Sequence, residues 1–481
     1  GWQPPQRELR QPQSLSYHHL RAIVGTQPKA SKIAPVVAEF ARIVMVPLAP
    51  TEAPPVPMHN VLQEEWRGVP PGSKLIRSSL NRLNGEFGPQ PLDCETPQNY
   101  CTFGIFRSPE AFVQYAVQVG HPINLANCLP QVLADALADS VRLSPKDLMQ
   151  ARSEKLKSWI ARARELRPQE DALHKSLPSH AQLILAPKRI LLWKSLLEEF
   201  GYPDPEVVDE VVNGTELTGQ VPFVPCFDLN FRPASSSVDN LKRNAGASNQ
   251  AIFHSVRSSG DDFIDSEVYR ETIAELESGG AVLSRRFGIK QSSGEKVKVR
   301  LIDDLSASGI NSTVQVQCMP KLHTLDVVAS VALELTKSGR TFDWLGKTFD
   351  LASAYRQLAL SSNSLWASFV VCFNPEHRKP EIFAMRALPF GASRSVYSFL
   401  RVSRSLWWLG CKALSLVWSS FFDDFITFAR RAEAEPLNGA VHAFFRILGW
   451  EVSGEGKDQD FSSRFSALGI EVSLDRFALV W

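Results

Sequence analysis

Two adjacent acids, Asp423 and Asp424, stand in the run SSFFDDFITFA between strongly apolar β-formers. Carrying two neighbouring charges into such a run is costly unless the chain turns there or a cation neutralises them. A strand, a tight turn bearing the acids and a returning strand meet both conditions. For the dipeptide alone, an ordinary hairpin turn is the simpler account. Asp350 adds a third carboxylate, after the β-rich step KTF and before LASAYRQL, where strand can pass into helix. Three carboxylates on neighbouring strand ends could hold two divalent cations about 3.5–4 Å apart, as in-line phosphoryl displacement uses. Hard oxygen donors suit Mg²⁺, with Mn²⁺ as a substitute, and substrate phosphates complete such a shell. Unrelated surface acids remain compatible with the spacing.

The elements that must position these acids are short β-rich runs, VKVRLIDD, GKTFDLASAYRQLAL, WASFVVCF, EIFAMRALPF and LVWSSFFDDFITFA, interrupted by the helical pattern SVYSFLRVSRSLWWLG. Strands interleaved with helices on one sheet give an α+β expectation for residues 263–481. Residues 1–60 mix Pro, Gln and Ala, as in VPLAPTEAPPVPMHN, and read as a disordered arm. Residues 61–212 read as a mainly helical domain, with helical spacing from about 105 and a helix start at Ser144, Pro145 and Asp147. Residues 213–262 are rich in Gly, Ser, Asn and Pro and read as a linker.

Composition narrows the class of protein. With 44% hydrophobic and 21% charged residues, the 481-residue chain can bury ordinary cores, which excludes disorder throughout. Fifty-two basic against fifty-one acidic residues leave +1, so any nucleic-acid footprint has to be local. One such patch exists at residues 281–300. There Arg285, Arg286, Lys290, Lys296, Lys298 and Arg300 face only Glu295, six against one, or +5. A solvated basic strand or a contact to triphosphate and template backbone both fit, and the position just before the acids favours the second, with Arg300 offering a planar donor fork. The seven scattered cysteines lack CxxC spacing and read as reduced thiols. No apolar run is long enough to cross a membrane and no secretory leader is present in the sequence given, so an intracellular protein, cytoplasmic or nuclear, is expected. A start at Gly1 and an apolar end, ALVW, suggest a piece of a longer product.

The order of these motifs resembles the reverse-transcriptase domain of retroelement polyproteins over residues 263–481. FDLASAY is similar to its first palm motif, with Asp350 followed five residues on by Tyr355; ALPFGASRSVYSF resembles its LPFG motif, and FFDDF its YxDD motif. SGEGKDQD and FSALGIEV resemble the last two palm motifs, and VKVRLIDDLSASGIN the fingers strand. The resemblance implies a right-hand palm and fingers, and an RNA-directed DNA polymerase acting on an RNA template, a DNA or RNA primer and dNTP. It gives Asp350, Asp423 and Asp424 two Mg²⁺ ions and makes Lys457 the proton donor to pyrophosphate. It also implies nucleotide contacts from Lys298, Arg300, Tyr355, Phe390 and Gly391, with Tyr355 excluding a 2′-hydroxyl. Phe421, Leu468 and Gly469 would grip the primer. Phe421 replaces the family's usual Tyr, Leu400 replaces a frequent Gln, and about a dozen residues after Gly469 leave no room for a thumb. An RNA-templated RNA polymerase shares the carboxylates, but Tyr355, the LPFG segment and the lack of Gly before Asp423 argue against it. A non-catalytic nucleic-acid-binding remnant of a retroelement is the rival from another class.

Overall fold

A computed structural model describes residues 129–480 except 274–281, 294–295, 338–342, 455–458 and 475–477, together with three strands nearer the amino end. The chain divides into two compact units, Gly1–Leu125 and Ala126–Trp481.

In the first unit, β1 (Ala41–Pro47), β2 (Lys74–Leu80) and β3 (Asn99–Arg107) form a sheet in the order β1-β3-β2, with β1 parallel and β2 antiparallel to β3. The expected arm therefore contains a strand, and the expected helical region contains two. Short β-branched and aromatic runs such as RIVMV and CTFGIF supply them, and the Pro-rich surroundings obscure the pattern. The helical spacing read at residues 109–120 lies outside the described residues.

The second unit begins with α1 (Gln131–Arg142), α2 (Pro145–Glu165), α3 (Arg167–Ser176), α4 (Ser179–Leu185), α5 (Ile190–Glu199) and α6 (Val207–Asn213). As expected, Ser144 caps α2: its hydroxyl accepts from Asp147 N–H at 3.2 Å, with Pro145 in the first turn. These helices do not stand apart as a domain ending at 212. Trp159, Trp193, Leu196 and Leu197 share one hydrophobic core with Trp418, Phe425, Phe444 and Phe445. Trp159 lies 6.1 Å from Phe444, and Trp193 5.8 Å from Trp450, between ring centroids. Helical periodicity shows which face is buried but not what covers it.

Nor is 213–262 a linker. It holds β4 (Gly219–Gln220), β5 (Asp228–Arg232), α7 (Val238–Ser255) and the start of α8 (Asp262–Ile273). The Ser237 hydroxyl caps α7 by accepting from Asn240 N–H, and Ile252 and Val256 pack with Leu283, Phe369 and Val371. Asn240, Asn244, Gly246 and Ser255 of α7 lie exposed, while Asn249 accepts from Leu283 N–H, and this polar composition makes the helix look like a loop in sequence.

Then follow β6 (Leu283–Ser293), β7 (Lys296–Asp304), β8 (Val314–Met319), α9 (Leu325–Lys337), β9 (Trp344–Asp350), β10 (Phe369–Asn374), β11 (Lys379–Ala384), α10 (Ser393–Leu414), β12 (Val417–Phe421), β13 (Asp424–Arg430), α11 (Ala434–Leu448), β14 (Arg464–Ala467), β15 (Ile470–Ser473) and β16 (Ala478–Val480). The fold of this unit is α+β, but its strands do not join one sheet. Among the described residues they form four: β11-β10-β6-β7, β12-β13-β9, β14-β15-β16 and β4-β8-β5. No helix among the described residues is long and apolar enough to cross a membrane.

Candidate active site

Strand pairing brings two of the three acids together. β9 and β13 are antiparallel with Asp350 opposite Asp424, and β12 returns against β13 with Phe421 opposite Asp424. Phe422 and Asp423 form the two-residue turn between β12 and β13. Leu351 N–H donates to Asp423 O at 3.1 Å, so 351 and 423 form the hydrogen-bonded pair. Asp350 and Asp424 are consequently a non-hydrogen-bonded pair, the kind whose Cα atoms stand roughly 4.5 Å apart with side chains close on one face. Two carboxylates set on one face in this way can share a divalent cation.

The turn is strained. Phe422 has φ +53°, a left-handed conformation that a bulky residue rarely adopts. Asp350 is held from its other side: Ser453 Oγ donates to Asp350 Oδ2 at 2.8 Å, and Ser453 N–H to Asp350 O at 2.7 Å. Sequence reasoning missed Ser453. Its place four residues before Lys457 in the SGEGKDQD segment was the available signal; Lys457 itself lies outside the described residues.

Aromatic contacts carry the site from the acids toward β7. The Tyr355 ring lies 5.1 Å from Phe399 and 5.5 Å from Phe390, the latter edge-on at 86°. Arg300 stands over the other end of this row, 5.5 Å from the Phe390 centroid. Burial, with the negative charge of Asp423 behind it, holds the Tyr355 phenol well above its ordinary pKa. Tyr355, Phe390 and Arg300, three residues singled out for nucleotide contact, therefore lie in one contact chain ending near Asp423.

The remaining expectations divide. Gly391 has φ +134°, and a Cβ there would come within 2.1 Å of Asp303 O. The close approach it permits is thus to the end of β7, where Asp303 N–H donates to Phe390 O at 2.9 Å. Asn311, part of the fingers-like segment, locks the same junction by donating to Gly391 O and accepting from Ser393 N–H. The basic cluster is not uniformly available for phosphate. Arg286 is buried and donates two hydrogen bonds to Asp303, at 2.6 and 3.1 Å, while Lys290 pairs with Asp261. Arg300 is exposed; Lys298 has its backbone in β7, and its side chain lies outside the described residues. Leu468 and Gly469, with φ +52° and +80°, make the two-residue turn between β14 and β15. That hairpin lies beside β9, where Thr348 Oγ1 donates to Ser466 O at 3.0 Å.

No protein-family description matches this chain, and no curated protein matches it. Solved structures of foamy viral protease-reverse transcriptase are similar to it at low level. One in complex with double-stranded DNA has 14% identity and a TM-score of 0.34, covering 80% of this chain and 53% of that one. One with an RNA/DNA hybrid has 14% identity and a TM-score of 0.33, covering 64% and 35%. The native prototype foamy virus protein has 13% identity and a TM-score of 0.32, covering 54% and 28%. The chain thus spans about half or less of these proteins. Similarity of this size assigns neither family nor activity, which must come from the site's own residues.

Among the described residues, no group of three His, Cys, Asp or Glu side chains is gathered closely enough to hold a metal ion. What the sheet does bring face to face is a two-carboxylate donor set, Asp350 and Asp424, with Asp423 beside it in the turn. Such a set fits Mg²⁺, which commonly binds one or two carboxylates and keeps water and phosphate oxygens for the rest.

Proposed function

We propose that the chain is a nucleotidyltransferase of the reverse-transcriptase type, extending a primer on an RNA template with dNTP. The observation that carries this reading is the pairing of Asp350 with Asp424 beside a strained turn bearing Asp423, with Tyr355 and Phe390 leading from it to Arg300. Asp350 and Asp424 would hold Mg²⁺ or Mn²⁺, with Asp423 beside them in the turn. When bound, the metal would acidify the primer 3′-hydroxyl and neutralise the leaving pyrophosphate.

The chain's own residues supply position. Ser453 orients the Asp350 carboxylate. Tyr355, pinned between Phe390 and Phe399, forms a rigid wall that a 2′-hydroxyl would strike. The Arg300 guanidinium offers paired donors to phosphate, and the stack on Phe390 limits its freedom before the nucleotide arrives. Lys457 would give a proton to the departing pyrophosphate, while Phe421 and the Leu468–Gly469 turn would support the primer end. Contacts to the nucleic-acid backbone should make binding fall with salt.

The test is Mg²⁺-dependent primer extension on an RNA template. Wild type is expected to extend with dNTP, Asp424→Asn to lose at least about 10³-fold in rate, and Tyr355→Ala to accept rNTP more readily. If wild type and Asp424→Asn extend equally little while both bind the primer–template duplex, catalysis is refuted and a binding scaffold remains.

A further inference from the structure

Strand β12 is an outer strand of its sheet, so every second residue turns its backbone groups away from β13 and needs a partner elsewhere. The register says which. Because Asp423 O accepts from Leu351 on β9, Asp424 turns its backbone groups toward β12 and pairs there with Phe421. Ser420 and Trp418 therefore turn outward, and Phe422 sits in the turn, where the sheet offers its carbonyl nothing.

Side chains meet three of these groups. Trp407 Nε1 donates to Trp418 O at 2.8 Å, Ser420 N–H donates to His323 Nδ1 at 3.1 Å, and Ser403 Oγ donates to Phe422 O at 2.6 Å. Ser403 and Trp407 are one turn apart on α10 and share a face. His323 comes from the segment between β8 and α9, buried edge-on against Trp407 with 4.5 Å between centroids. The Arg404 guanidinium lies against His323 Nε2, stacks on Trp407 at 5.0 Å and donates to Lys321 O, which ties the His323 segment to α10. Gly410 completes the fit, because a Cβ there would come within 2.0 Å of the Trp418 ring.

We propose that Ser403 and His323 are positioning residues, clamping β12 and the Phe422–Asp423 turn so that Asp423 and Asp424 are presented opposite Asp350. Ser403 fixes the peptide joining Phe422 to Asp423, the place where the backbone is strained, and His323 fixes the strand just before it. Neither side chain needs to touch substrate. With Nδ1 accepting from Ser420 N–H, a second proton on the ring would destroy that bond. Burial, then the charges of Arg404 and Lys321, accordingly hold its pKa well below the ordinary value. The clamp's catalytic consequence rests on the polymerase reading, but its existence does not.

Two measurements on the full chain separate these. In primer extension, corrected for folded fraction by near-ultraviolet circular dichroism, Ser403→Ala and His323→Leu should each lower kcat by about 10-fold. KM for dNTP should stay within about twofold. His323→Asn, which keeps an acceptor near the Nδ1 position, should restore most of the rate. Protection of the sheet edge alone would leave kcat per folded molecule unchanged in both variants, and that result overturns the positioning role. In amide exchange, Ser420 should be protected in wild type and in His323→Asn and at least about 10-fold faster in His323→Leu. Equal exchange in all three overturns the clamp. Should wild type extend no primer, the polymerase reading fails and exchange alone decides whether the clamp exists.

Discussion

The sheet of β6 and β7 and the sheet of β9, β12 and β13 treat charge in opposite ways. In the first, Arg286 and Asp303 neutralise each other out of contact with water, each with 2% of its side chain exposed. In the second, two half-buried carboxylates are set opposite one another by strand register. A self-neutralised pair needs nothing from outside and serves the fold. A pair of carboxylates on one face offers its oxygens to a cation or a substrate. The basic run at 281–300 therefore contains both kinds of residue: Arg286, spent on structure, and Arg300, exposed and stacked on Phe390.

The sharpest break of this contrast comes from matched substitutions. Asp424→Asn should abolish primer extension while changing stability by no more than about 0.5 kcal/mol, as half-exposed polar substitutions usually do. Arg286→Leu should cost about 3–5 kcal/mol in urea unfolding, because Asp303 is left buried and unpaired, and Arg286→Leu with Asp303→Leu should recover most of it. If the two sites respond alike, the division of charge between fold and chemistry is mistaken.

Lys188 gives a third case, a cation in the core without a carboxylate against it. Its Nζ donates to Gln357 Oε1 at 2.6 Å and Gly449 O at 2.8 Å and lies over the Trp450 ring. Burial pushes it down to about 7 from 10.5, with Glu451 a partial offset. Between those values the unfolded chain binds more protons than the folded one, so stability should rise with pH, by at most about 1.4 kcal/mol per unit. Lys188→Met should flatten that rise in unfolding measured from pH 7 to 10. The smallest effect is expected at the turn. Phe422→Gly relieves a left-handed φ and should stabilise by about 1 kcal/mol or less, while loosening the turn and slowing extension.

How much of this was legible in sequence depended on distance along the chain. Asp423 and Asp424 could be placed on a hairpin because their apolar flanks are local, and Ser144 could be read as a cap for the same reason. That Asp350 lies opposite Asp424 is a matter of register between strands 74 residues apart, and no local pattern sets it. A run of basic residues cannot show that Arg286 faces Asp303, since burial is decided by the partner strand. His323 and Ser403 left no trace at all: each satisfies a backbone group that becomes needy only once β12 lies at an edge. The polar face of α7 and the Pro-rich context of β1 misled for a different reason, since composition averages over faces and neighbours that the fold keeps separate.

The shared core of the early helices has a consequence for how the chain is made. Trp159 on α2 and Trp193 on α5 find their aromatic neighbours Phe444 and Trp450 some 250 to 300 residues later. During synthesis at roughly 5–20 residues per second, those indoles wait tens of seconds for the residues that cover them. Folding of this unit should therefore be slow and governed by late, non-local closure. A chaperone that shields α2 and α5 during that interval would raise yield more than any change near the carboxylates.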